Sequence, residues 1–154
     1  MCRLRVSFRV ASRITRYALA ALILCLGANG ALANLGDDND AIERAYEKIV
    51  ERHLLDDGRV NVLYHKDKYL YFVLFDRGKS VLERYSRMDA RELTQKEIDR
   101  FLKSNAGRGV KWVPDQTSEE RRFERSDGKA AAVYGKIGKR PALEVRFKSK
   151  KEDG

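Results

Sequence analysis

The sequence predicts an α+β fold in which two tandem units, each a helix followed by a three-stranded meander, lay their helices on one face of an antiparallel sheet. Three observations predict it. Residues 40–54 carry apolar side chains at three- and four-residue spacing, Thr94 with Glu97 marks the start of a second helix, and runs of β-branched and aromatic residues follow each helix.

The first helix is expected from about Asp40 to Leu54. Ile42, Ala45, Tyr46, Ile49, Val50 and Leu54 form its apolar stripe, Asp40 and Glu43 an aspartate form of the capping box, and Asp56-Asp57-Gly58 its stop. Strands are expected at 59–64, 69–75 and 80–85, joined at Lys66-Asp67-Lys68 and Asp76-Arg77-Gly78-Lys79. The middle run, Tyr69 to Phe75, is apolar on both faces and belongs at the centre of a sheet. Thr94 and Glu97 cap a second helix reaching about Asn105, with Leu93 and Ile98 in the two positions of a hydrophobic staple. Strands at 119–125, 129–134 and 142–147 complete the second unit, and Asp127-Gly128 suits the tight turn between the first two.

The domain occupies residues 38–148, with repeats at 38–87 and 93–148, a short linker at 34–37 and a charged tail at 149–154. Residues 1–33 read as a secretory signal. Arg3, Arg5, Arg9, Arg13 and Arg16 form a positive leader without any acid, Tyr17 to Leu26 is apolar, and Ala31 and Ala33 supply the small side chains that signal peptidase accepts. Cleavage would leave Asn34 as the first residue and deliver the domain, by the general secretory route, to a periplasmic or extracellular space. An uncleaved anchor is the competing reading, but Gly27, Asn29, Gly30 and Asn34 fall where a spanning helix needs apolar side chains.

Both cysteines, Cys2 and Cys25, lie in the leader, so the mature domain is expected to have no disulfide, thiolate nucleophile or cysteine metal site. The full chain carries a net charge of +9; without the five leader arginines it has 27 basic against 23 acidic side chains, an ordinary surface. The surplus sits in the second half, where residues 94–154 hold 16 basic and 10 acidic side chains.

The order helix, three strands, helix, three strands over residues 38–147 resembles the β-lactamase-inhibitor-protein-like fold shared with the BamE (SmpA/OmlA) outer-membrane lipoproteins. The run Trp112 to Tyr134 resembles segments of small uncharacterised exported bacterial proteins. The resemblance implies binding of another envelope or secreted protein through the sheet. Those lipoproteins carry a lipidated cysteine and a glycine-led motif before their first helix; neither stands here, so no functional residue is carried over.

Candidate chemistry is sparse. His53 and His65, the two histidines, would be the acid and base of a small secreted hydrolase such as a nuclease, although one is expected near a helix end and the other at a hairpin tip. Asp37-Asp38-Asn39-Asp40 lacks the glycine and distant glutamate of a calcium loop, and no serine elbow or phosphate loop is present. No catalytic residue, metal site or cofactor is therefore expected. Two binding surfaces are: the aromatic group Tyr64, Tyr69, Tyr71, Phe75 and Tyr85, which would engage a protein if one sheet face were open, and Arg121, Arg122, Arg125 and Lys129, which could bind nucleic acid or an anionic glycan. Core packing is the competing use of the aromatics, and guarding of strand edges that of the cations.

Overall fold

The computed structural model describes residues 34–116 and 120–148. Along the chain these form α1 (Asn39–Tyr46), β1 (Lys48–Leu54), β2 (Val60–Lys66), β3 (Tyr69–Asp76), β4 (Lys79–Arg87), α2 (Gln95–Ser104), β5 (Trp112–Asp115), β6 (Arg121–Arg125), β7 (Ala130–Ile137) and β8 (Arg140–Phe147). One antiparallel sheet contains all eight strands in the order β1-β2-β3-β4-β8-β7-β6-β5. Two four-stranded meanders therefore meet through their last strands, and β4 pairs with β8 at the centre, where Arg84 lies opposite Glu144 and Tyr85 opposite Leu143. Residues 1–33, 117–119 and 149–154 lie outside the description, and with them the cleavage-site alanines Ala31 and Ala33 and the charged tail.

This architecture corrects the expected fold class. Two helix-plus-three-strand units are replaced by a single eight-stranded sheet that dominates the described residues, among which are two helices of only 8 and 10 residues. The main error falls on residues 40–54. The first helix stops at Tyr46 because Glu47 adopts a left-handed backbone, φ 66°, while its N–H closes the last turn on the Glu43 carbonyl. Beyond that break, Ile49, Val50 and Leu54 belong to β1 and are exposed rather than forming a buried stripe. Three apolar side chains in so short a run satisfy helix and strand spacing equally, and the β-branched pair favours the strand. The cap is also displaced: Asp38, not Asp40, accepts the Ala41 N–H at 2.9 Å. In the second half, Trp112–Asp115 adds an unexpected fourth strand, which tolerates Pro114 because it lies on the sheet edge.

Elsewhere local chemistry matches local structure. Thr94 accepts the Glu97 N–H while Glu97 accepts the Thr94 N–H, a complete capping box at the start of α2. The β3–β4 hairpin turns on Arg77 and Gly78, both left-handed, the geometry whose twist matches the paired strands. Residues 34–37, expected as a linker, run against β4: Leu35 is buried, and the Gly36 N–H and Asp37 carbonyl bond to Ser80.

The core lies between one sheet face and the two helices. Along β3, Tyr69, Tyr71, Val73 and Phe75 are buried and alternate with half-buried Leu70, Phe72 and Leu74. Tyr46 of α1 stacks on Tyr71 with ring centroids 4.1 Å apart. Phe101 of α2 stacks on Tyr85 at 4.4 Å and meets Tyr69 edge-on at 5.2 Å. These rings pack together with buried aliphatic side chains, among them Ile42, Val62, Val73, Ile98, Leu143 and Val145.

Candidate functional site

The register that buries the tyrosines turns every second side chain outward. Leu63 on β2 lies beside Phe72 on β3, Phe72 beside Arg84 on β4, and Arg84 beside Glu144 on β8. With Leu70, Leu74 and Leu82 they make a half-buried apolar surface on the face away from Tyr71, and among the described residues no helix packs over it. Arg84 is the polar centre of this face. Its Nε and Nη2 both donate to one carboxylate oxygen of Glu144, at 3.1 and 2.7 Å, and its guanidinium lies 5.0 Å from the centre of the Phe72 ring.

The five aromatics expected as a binding surface, Tyr64, Tyr69, Tyr71, Phe75 and Tyr85, are all buried, none more than 4% exposed. They are core; the outward surface belongs to their neighbours in the chain. Those neighbours escaped the sequence reading, although an apolar run on both faces of one strand, Tyr69 to Phe75, is the signal that would have found them. Burial raises the phenol pKa values of Tyr64 and Tyr71 to about 12, so both remain neutral.

A second feature that the sequence did not reveal is a buried carboxylate. Glu83 lies in the core between the tyrosines; its Oε2 accepts from the hydroxyls of Tyr46 at 2.9 Å and Tyr85 at 2.5 Å, and its Oε1 from Ser80 at 3.3 Å. Asn105 extends the network, donating to the Tyr85 oxygen at 2.6 Å while its own oxygen accepts the Leu35 N–H at 2.8 Å. Burial pushes the Glu83 carboxyl pKa up, against the three hydroxyls, and pushes the phenols of Tyr46 and Tyr85 well above their ordinary range. With no solvent access and every bond directed inward, this group ties α1, β4 and α2 together and presents nothing to a substrate.

Glu97 has the opposite electrostatics. Partial burial opposes its charge, but the Tyr69 hydroxyl, the Thr94 N–H and Lys68 outweigh that and hold its carboxyl well below the usual range. Arg87 reaches Oε1, the oxygen shared by Tyr69 and Lys68, at 3.3 Å and also pairs with Asp89, whose carboxyl it holds down to about 2.

The remaining candidates are not brought together. His53 lies opposite Asn61 and His65 opposite Lys48, four residues apart along β2, a spacing of roughly 13 Å that is too wide for an acid and base on one phosphoryl group. His53 Nε2 is 2.6 Å from Glu51, and His65 Nε2 is 2.7 Å from the Asp67 carbonyl. Arg121 and Arg122, adjacent in β6, point to opposite faces: Arg121 covers the Tyr134 ring at 5.0 Å and bonds Gln95, while Arg122 pairs with Glu120. Arg125 is buried against Asp127 and the Asn105 carbonyl, and Lys129 is an exposed turn residue whose N–H bonds Asp127. Among the described residues no group of three or more His, Cys, Asp or Glu converges as metal ligands.

No family model and no curated protein matches the chain. A cysteine-rich secretory protein from Staphylococcus aureus subsp. aureus Mu50 shares 11% sequence identity with it, at a TM-score of 0.44 over 74% of this chain and 44% of that one. The chain thus spans less than half of that neighbour's length.

Proposed function

We propose that this domain is an exported, non-enzymatic module that binds another protein through the outward face of its sheet. One observation carries the reading: Leu63, Leu70, Phe72, Leu74 and Leu82 form a contiguous half-buried apolar surface with no helix over it among the described residues. A sheet face of this kind presents flat apolar area on a rigid backbone, the composition of an interface centre rather than of a solvated surface. Export follows from the leader and supplies the compartment in which the partner is met.

The experiment is site-specific photo-crosslinking in the native host, with the photoreactive residue at position 72 and a control at position 129. Capture of one defined partner from position 72 and none from position 129, abolished by Leu70→Asp, is the expected result. Equal capture from both positions, or capture indifferent to Leu70→Asp, would overturn it.

A further inference from the structure

The outward face is uneven, and its charge identifies the kind of segment it can receive. Where β3 and β4 face the β7–β8 turn there is a cavity of about 310 Å³. Leu63, Leu70 and Phe72 line one part and three cations, Arg84, Lys139 and Arg140, the other; no carboxylate among the described residues lines it. The three cations are not equivalent. Arg84 is neutralised by Glu144. Arg140 donates Nη1 to the main-chain carbonyls of Arg87 and Met88, at 3.2 and 2.9 Å, which fixes the side chain without cancelling its charge. Lys139, exposed in the turn, has no ion-pair partner among the described residues. Two uncompensated positive charges therefore stand at one end of an apolar depression.

A nucleic acid or anionic glycan would match the cations but would lay its polar backbone over Leu63, Leu70 and Phe72, desolvating those phosphates or hydroxyls without a donor in return. A neutral apolar segment would match the leucines and leave Lys139 and Arg140 facing it unpaired. Both demands are met by a segment that is apolar along its length and acidic at one end. We propose that the partner seats such a segment of its own chain here, with apolar side chains on Leu63, Leu70 and Phe72 and one or more carboxylates against Lys139 and Arg140. The proposal rests on the sheet-face reading above and specifies its partner's chemistry.

The test uses the protein as recovered from cells and two short synthetic peptides, each apolar along its length, one ending in two glutamates and its twin ending in two lysines. Binding is read by fluorescence anisotropy at low and high salt. The glutamate peptide should bind and weaken with salt, the lysine twin should not bind, and Lys139→Glu should weaken binding at least about tenfold by placing like charges together. Lys139 is an exposed turn residue, so its variant should keep the wild-type thermal melt, which is measured alongside. Equal binding of the two peptides, or displacement of the glutamate peptide by a single-stranded oligonucleotide at the same concentration, would overturn the proposal. Indifference to Lys139→Glu with loss of binding in Leu70→Asp would overturn the acidic component alone; indifference to both would sink the sheet-face reading with it.

Discussion

Replacing Glu83 by leucine should destabilise the domain by an amount that can be worked from its hydrogen bonds. The carboxylate is the acceptor for three buried hydroxyls, but they do not depend on it equally. Ser80 Oγ also reaches the Asn34 carbonyl at 3.2 Å and keeps a partner. The hydroxyls of Tyr46 and Tyr85 also interact with each other, so one can donate to the other, and because Asn105 is a donor to Tyr85 a single phenol O–H is left without an acceptor. A buried donor left unpaired costs about 1–3 kcal/mol, so Glu83→Leu should cost about that much, a sizeable share of the 5–15 kcal/mol typical of a whole domain. Glutamine keeps an acceptor oxygen for the tyrosines and should remain within about 1 kcal/mol of wild type. The two variants also separate packing from charge. Burial raises the Glu83 pKa in the folded state, so the native protein holds this proton more tightly than the unfolded chain does. Its contribution to stability is complete below the ordinary glutamate value of 4.5 and is lost as pH rises through the elevated folded value. Urea unfolding across that window should show wild-type stability declining with pH and Glu83→Gln lacking that decline. Glu83→Leu as stable as wild type would refute the reasoning, since the tyrosine hydroxyls would then have other acceptors.

Glu97 should act in the opposite sense: its folded pKa is depressed, so its contribution is present above 4.5 and is lost as pH falls below that value, and urea midpoints of Glu97→Gln should lack this acid-side loss. Phe101→Ala removes a fully buried ring stacked on Tyr85 and should cost about 3–5 kcal/mol in chemical unfolding, with cooperativity retained. Intact mass of the protein recovered from its host should correspond to a chain beginning at Asn34; a mass retaining Met1 to Ala33 would remove the basis for export.

What was legible in the sequence depended on how many independent signals converged on one residue. At Thr94 the cap, the reciprocal Glu97, the Leu93–Ile98 staple and a following apolar stripe all agree, and α2 begins there. At Asp40 a capping pattern was present too, but the pattern one turn along was only three exposed apolar residues, and the left-handed Glu47 that ends the helix has no sequence signature, since glycine is the residue that ordinarily marks such a position. The eight-stranded order was hidden for a different reason: β4 and β8 pair across 60 residues of chain, and no local pattern records a pairing at that distance.

The candidate surface depended on a single bit of information, the parity of the outward residues. An apolar strand such as Tyr69 to Phe75 can bury either alternate set, and the choice is made by its neighbours. Tyr85 on β4 lies opposite Tyr71 on β3 and Leu143 on β8, while Arg84 lies opposite Phe72 and Glu144. A slip of one residue in β4 would carry Arg84 into the tyrosine core and strand Glu83 among Leu74 and Phe72 on the open face. Each ion would then lose its partners, Glu83 its hydroxyls and Arg84 its Glu144. The buried carboxylate on one face and the ion pair on the other thus oppose the same error at the seam between the two meanders. The outward leucines and Phe72 are thus held in register by chemistry on the far side of the sheet, and under the sheet-face proposal Glu83→Leu should lower photo-crosslink capture from position 72 while Glu83→Gln leaves it unchanged.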